Sequence, residues 1–87
     1  DAIYREEEAK ADRFAGRVLA ELGAKPDALC EFLRANEAFE ARKPSDYYPA
    51  DVRAQIIQGA FQRRGRALEL KKRDLLGNAR ATIRELR

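Results

Sequence analysis

Histidine, tryptophan and methionine are absent from this 87-residue sequence, and cysteine occurs once, at position 30. Without histidine there is no Ser-His-Asp triad, no imidazole acid–base pair and no usual zinc ligand set, and one cysteine cannot build a disulfide framework. The Glu-x-x-His pattern of di-iron helical proteins is excluded for the same reason. Only five glycines and three prolines are present, too few turn residues for a chain of many short strands. No window approaches the roughly 18 consecutive apolar residues of a membrane span, and no basic segment followed by an apolar core resembles a signal peptide. The chain begins Asp1-Ala2-Ile3, which predicts a processed or cropped product. A lone cysteine is the common state of intracellular proteins, so the expected setting is the cytoplasm or an organelle matrix.

What is present is charge and alanine. Charged residues make up 38% against a norm of roughly a quarter, and 16 of the 39 apolar residues are alanine. That composition predicts one small domain with much exposed helical surface and a thin core. The fold class expected is all-α, a small bundle of three to four amphipathic helices.

Periodicity locates the elements. Over residues 2–22, Tyr4, Ala11, Ala15, Val18 and Leu22 share one face with Phe14 at its edge, Glu6, Glu7 and Glu8 lie near the start, and Gly23 stands where a C-terminal cap belongs. Gly16 inside this helix costs about 1 kcal/mol relative to alanine. Pro26 opens a second helix that carries Leu29, Phe32, Leu33, Asn36 and Phe39 to about Ala41. The stretch from Arg42 to Tyr48, with Pro44-Ser45-Asp46, reads as a turn, and Pro49 opens a third helix. That helix is apolar on two sides, with Val52, Ile56 and Ala60 on one and Ala54, Ile57 and Phe61 on the other, which predicts a central position. Gly65 is read as a break before a last, heptad-like helix with Leu68, Leu75, Leu76, Ala79, Ile83 and Leu86 on one side and Lys72 intruding. Leu75 and Ile83 are therefore expected to be buried, in the chain's own core or in a coiled interface.

Two functional readings follow. The first is a non-enzymatic protein–protein interaction module, a small subunit or adaptor of a larger assembly, joined to a protein partner or to further copies of itself. Its candidate interface residues are Tyr47, Tyr48, Ile57, Phe61 and Leu70. The paired tyrosines form a rigid amphipathic surface between prolines, and Leu70 lies off the leucine stripe, where a monomer has no use for it. The packing reading of the tyrosines, as a staple onto the third helix, competes with this.

The second reading is sequence-independent binding to the nucleic-acid backbone. Residues 1–44 carry net charge −2 and residues 45–87 net +5. Arg66, Arg73, Arg80 and Arg87 recur every seven residues, Arg84 projects the same way, and Arg63 and Arg64 extend the ridge upstream. Planar guanidinium groups bond two phosphate oxygens at once, and each neutralised phosphate releases counterions. The competing reading is a solvated helix face. Few Asn, Gln, Ser or Thr accompany these arginines, so base-specific recognition is not expected. Cys30 near a helix start and the carboxylate pairs Asp27/Glu31 and Glu37/Glu40 are the remaining chemical candidates. No base supports the thiol and the carboxylates are spaced as solvated pairs, so no catalytic residue, metal site or cofactor is assigned.

Overall fold

The computed structural model describes residues 2–38 and 46–86. The protein is all-α, with three helices in the order α1 (Ala2–Leu22), α2 (Asp27–Glu37) and α3 (Ala50–Glu85), and no strand among the described residues. α1 ends where the sequence predicts. Gly23 adopts φ +71°, its N–H donates to Ala20 O at 3.2 Å, and the N–H of Ala24 donates to Leu19 O at 3.0 Å. This paired return of two amides onto the last turn is the Schellman cap, which glycine adopts without steric cost.

Pro26 caps α2 instead of forming its first residue, and the helix ends at Glu37, four residues before the expected end near Ala41. Phe39 and the turn residues Pro44 and Ser45 fall outside the described residues. At α3, the N–H of Ala50, otherwise without a helical partner, donates to the Glu37 carboxylate, and Arg34 Nε lies 3.0 Å from Asp51 Oδ1. The end of α2 thus caps and neutralises the start of α3.

The first part of α3 is central, as its two apolar sides require. α1 runs parallel to it: Asp12 meets Arg53, Gly16 meets Ile57 and Ala60, and Glu21 meets Arg64. α2 runs antiparallel to it, with Cys30 beside Ala54 and Arg34 beside Asp51. Cys30, Leu33, Ala50, Ala54 and Ile57 form the core, with Leu19 and Leu29 packed against it.

The buried face of α1 is not the predicted one. Ala9, Asp12 and Gly16 are buried, whereas Tyr4, Ala11 and Leu22 are exposed. The true interface holds small residues and a buried ion pair, neither of which registers as hydrophobic periodicity. Gly16 permits contact so close that a Cβ there would lie 2.4 Å from Ile57 O and 2.9 Å from Ala60 Cβ. Nearby, Arg53 Nε and Nη2 each lie 3.0 Å from an Asp12 oxygen, and Nε is 3.2 Å from Glu8 Oε1. The glutamates sit in the second turn of α1 and serve as ion-pair partners instead of dipole charges: Glu6 to Arg13, Glu7 to Lys10, Glu8 to Arg53.

Gly65 does not break the chain. α3 is one helix of 36 residues, about 54 Å long at 1.5 Å per residue. An interior glycine lowers helix stability by about 1 kcal/mol but leaves the hydrogen-bond ladder intact, and no proline is present to interrupt it. Because α1 ends level with Arg64, the second half of α3 projects beyond its partners. The radius of gyration is 18.4 Å, against about 12 Å for a compact chain of this length. No helix among the described residues is long and apolar enough to cross a membrane.

Candidate interaction surface

From Glu69 to Leu86 every residue of α3 and its cap is exposed. Leu75 is 61% exposed, Leu76 49% and Ile83 54%, so the expectation that this stripe lies in the chain's own core does not hold. The stripe nevertheless continues the packed seam of the same helix. Ala50, Ala54 and Ile57 point into the core, and spacings of three, four and seven carry that face through Phe61, Leu68, Lys72, Leu75 and Ala79 to Leu86. The seam is covered in its first half and bare in its second.

The predicted interface residues fall into three groups. Ile57 is fully buried, so its surface is spent inside the chain and it is removed from the interface set. Phe61 is half-buried at the end of the packed half, and Leu70 is 58% exposed on the overhang, off the stripe as predicted. Tyr47 and Tyr48 dock onto the start of α1: the rings of Tyr4 and Tyr47 stack at 6.3 Å with an interplanar angle of 26°, and the Arg5 guanidinium lies 5.9 Å from the centre of the Tyr48 ring. Both tyrosines are half-buried. Their geometry in these contacts is that of a staple onto α1, where the packing reading expects one onto α3.

The arginines separate into two sets. Arg66, Arg73, Arg80 and Arg84 are exposed along the overhang, with Glu69 Oε1 3.7 Å from Arg73 Nε, and Arg87 lies outside the described residues. Arg63 and Arg64 belong to a different place, an open groove of about 310 Å³ between α1 and α3 that is also lined by Arg13, Arg17, Ala60 and Ala67. Arg64 is neutralised by Glu21 at 2.6 Å and Arg13 by Glu6 at 3.1 Å. Arg17 and Arg63 have no carboxylate within 4.0 Å among the described residues. Sequence reasoning missed Arg13 and Arg17 because it assigned α1 to the acidic half of the chain; their i, i+4 spacing was the available signal.

Cys30 is fully buried, its Sγ 3.9 Å from Ala54 O, and burial raises its thiol pKa above the ordinary value. It is a packing residue in an apolar setting that disfavours the nucleophilic thiolate. Among the described residues no three His, Cys, Asp or Glu side chains gather as a metal site. Comparison with protein-family models, curated proteins and solved structures returned no significant match for this chain.

Proposed function

We propose that this chain is a non-enzymatic helical interaction module whose docking element is the second half of α3, serving as a small subunit or adaptor in a larger assembly. The observation that carries this reading is the exposed stripe of Leu75, Leu76, Ile83 and Leu86, aligned with a seam that the same helix already uses for packing. A single helix of about 20 residues is marginally stable in water, and its stability ordinarily comes from docking an apolar face. Placing four large apolar residues on a bare helix has no benefit for an isolated chain and a clear one for an assembled one. The burial of the leucine stripe expected from the sequence is then a property of the assembly, with the facing surface supplied by the partner.

Leu75→Ala separates this reading from an internal packing role. Measured by denaturant unfolding of the dilute chain, it should change stability by no more than about 0.5 kcal/mol, the range for exposed sites. A loss of about 2–5 kcal/mol, the range for a buried leucine, would show that the stripe is packed within this chain and would overturn the reading.

A second reading, phosphate-backbone binding, is favoured by the arginine groove, where two helices bring four guanidinium groups together and Arg17 and Arg63 meet no carboxylate among the described residues. A duplex or single strand lying along α3 would meet this groove and then the ridge of Arg66, Arg73, Arg80 and Arg84. Such binding would be independent of sequence, with log K falling steeply against log salt. Arg17→Glu with Arg63→Glu should weaken binding of a short duplex and flatten that slope by about 0.9 per lost phosphate contact. No measurable binding by the wild-type chain at low salt would eliminate this reading.

A further inference from the structure

The charges that flank the bare stripe are arranged so that they specify its occupant. We infer that the overhang of α3 pairs with the overhang of a second copy of this chain, antiparallel, with Leu68 of each level with Leu86 of the other. The inference rests on the docking reading and adds to it the partner, the direction and the register.

The seam of the overhang is a heptad in which Lys72, Ala79 and Leu86 occupy the a positions and Leu68, Leu75 and Thr82 the d positions. In a parallel, in-register pair, identical residues face each other, so the two Lys72 ammonium groups would meet across the core. Parallel g-to-e' contacts would set Lys71 against Leu76 and Asn78 against Ile83, and the one opposite-charge contact of that register, Arg64 with Glu69, would draw on an arginine already paired with Glu21. In an antiparallel pair, a faces d'. The layers become Leu68 with Leu86, Leu75 with Ala79 and Lys72 with Thr82, each occurring twice about the two-fold axis. Large meets large at the ends, large meets small near the centre, and the lone lysine meets a hydroxyl-bearing residue instead of its own copy.

The flank gives an independent indication. In antiparallel pairs g faces g', and in this register Lys71 of one copy faces Glu85 of the other, again twice. Opposite charge at a facing flank position favours a pairing, and like charge opposes it. The exposed arginines 66, 73, 80 and 84 lie at b and f positions, outside the seam, and stay clear of the partner. Geometry also permits it: the overhang from 66 to 85 is about 30 Å long, and in this register the packed half of each copy begins only beyond Leu86 of the other. The pair is a rod with its two packed ends apart, joined through a seam continuous with the one α1 and α2 cover.

The test is a charge exchange in the full-length chain, read by sedimentation equilibrium. The wild type should form a two-chain species. Lys71→Glu and Glu85→Lys should each weaken it about tenfold, because each turns two attractive contacts into repulsive ones. An equimolar mixture of the two variants, and the double variant alone, should regain wild-type affinity, since both bring opposite charges back together at both places. A mixture no tighter than its components overturns the antiparallel register. A wild type that keeps the mass of one chain overturns self-pairing altogether. The docking reading stands apart from both results, because Leu75→Ala tests it in the dilute single chain.

Discussion

Gly16→Ala should remove at least about 3 kcal/mol from the stability of the chain, the upper part of the range for overpacking a tight contact. On propensity alone the substitution should help, because alanine is favoured over glycine inside a helix by about 1 kcal/mol. Packing decides the sign. The added methyl would sit 2.4 Å from Ile57 O, 2.9 Å from Ala60 Cβ and 3.0 Å from Phe61 N, and two of these three atoms are backbone that can move only by separating α1 from α3. Since α1 is one of two helices that pack on α3 among the described residues, the loss should be seen as a large drop in melting temperature and weaker protection of α1 amides. Gly65 and Gly77 provide the control: a Cβ at either meets nothing within 4 Å, so alanine there should raise helix stability by up to about 1 kcal/mol. If Gly16→Ala behaves like those two, the close contact between α1 and α3 is not formed.

Asp12→Ala should cost about 3–5 kcal/mol, because it leaves a largely buried guanidinium without its two-pronged partner. Asp12 is 4% exposed, and both its oxygens accept hydrogen bonds from Arg53. Arg53→Ala should be at least as severe, since it leaves the carboxylates of Asp12 and Glu8 facing each other with the cation gone. Buried pairs are screened little by salt, so these losses should persist in 1 M NaCl, whereas removing the exposed Glu7–Lys10 pair should change stability by well under 1 kcal/mol. Chemical denaturation of the single variants and of the Asp12→Ala, Arg53→Ala double variant supplies the check. Additive losses would mean that the two residues are not coupled.

These two sites also explain what the sequence could and could not reveal. Element existence was legible wherever punctuation was chemical: Gly23 ended α1, Pro49 preceded α3, and two apolar sides marked α3 as the central helix. The face of α1 was not legible, because Ala9, Asp12 and Gly16 make a close interface from a methyl group, a carboxylate and a hydrogen. Hydrophobic periodicity registers none of these and pointed instead to Tyr4 and Leu22, both exposed. Gly65 misled in the opposite direction: a glycine weakens a helix but does not end it when the flanking residues are good helix formers. For the candidate site, the leucine stripe and the stray Leu70 were visible as pattern. Whether the stripe is covered within this chain depends on the length of α1, which ends level with Arg64 and leaves the rest of α3 exposed. The arginine groove was invisible because it needs two helices lying parallel, and nothing local in either sequence segment encodes that arrangement.

The central claim is that α3 is half packed and half awaiting a partner, and residue-resolved amide hydrogen exchange tests it most directly. In a dilute, monomeric sample, the amides from Glu69 to Glu85 should exchange far faster than those from Ala54 to Phe61, because an undocked helix of this length opens locally at little cost. Raising the concentration should slow exchange in the overhang and leave the packed half unchanged. Equal protection of both halves at every concentration would contradict the account, since it would mean that the overhang needs nothing outside itself to stay folded.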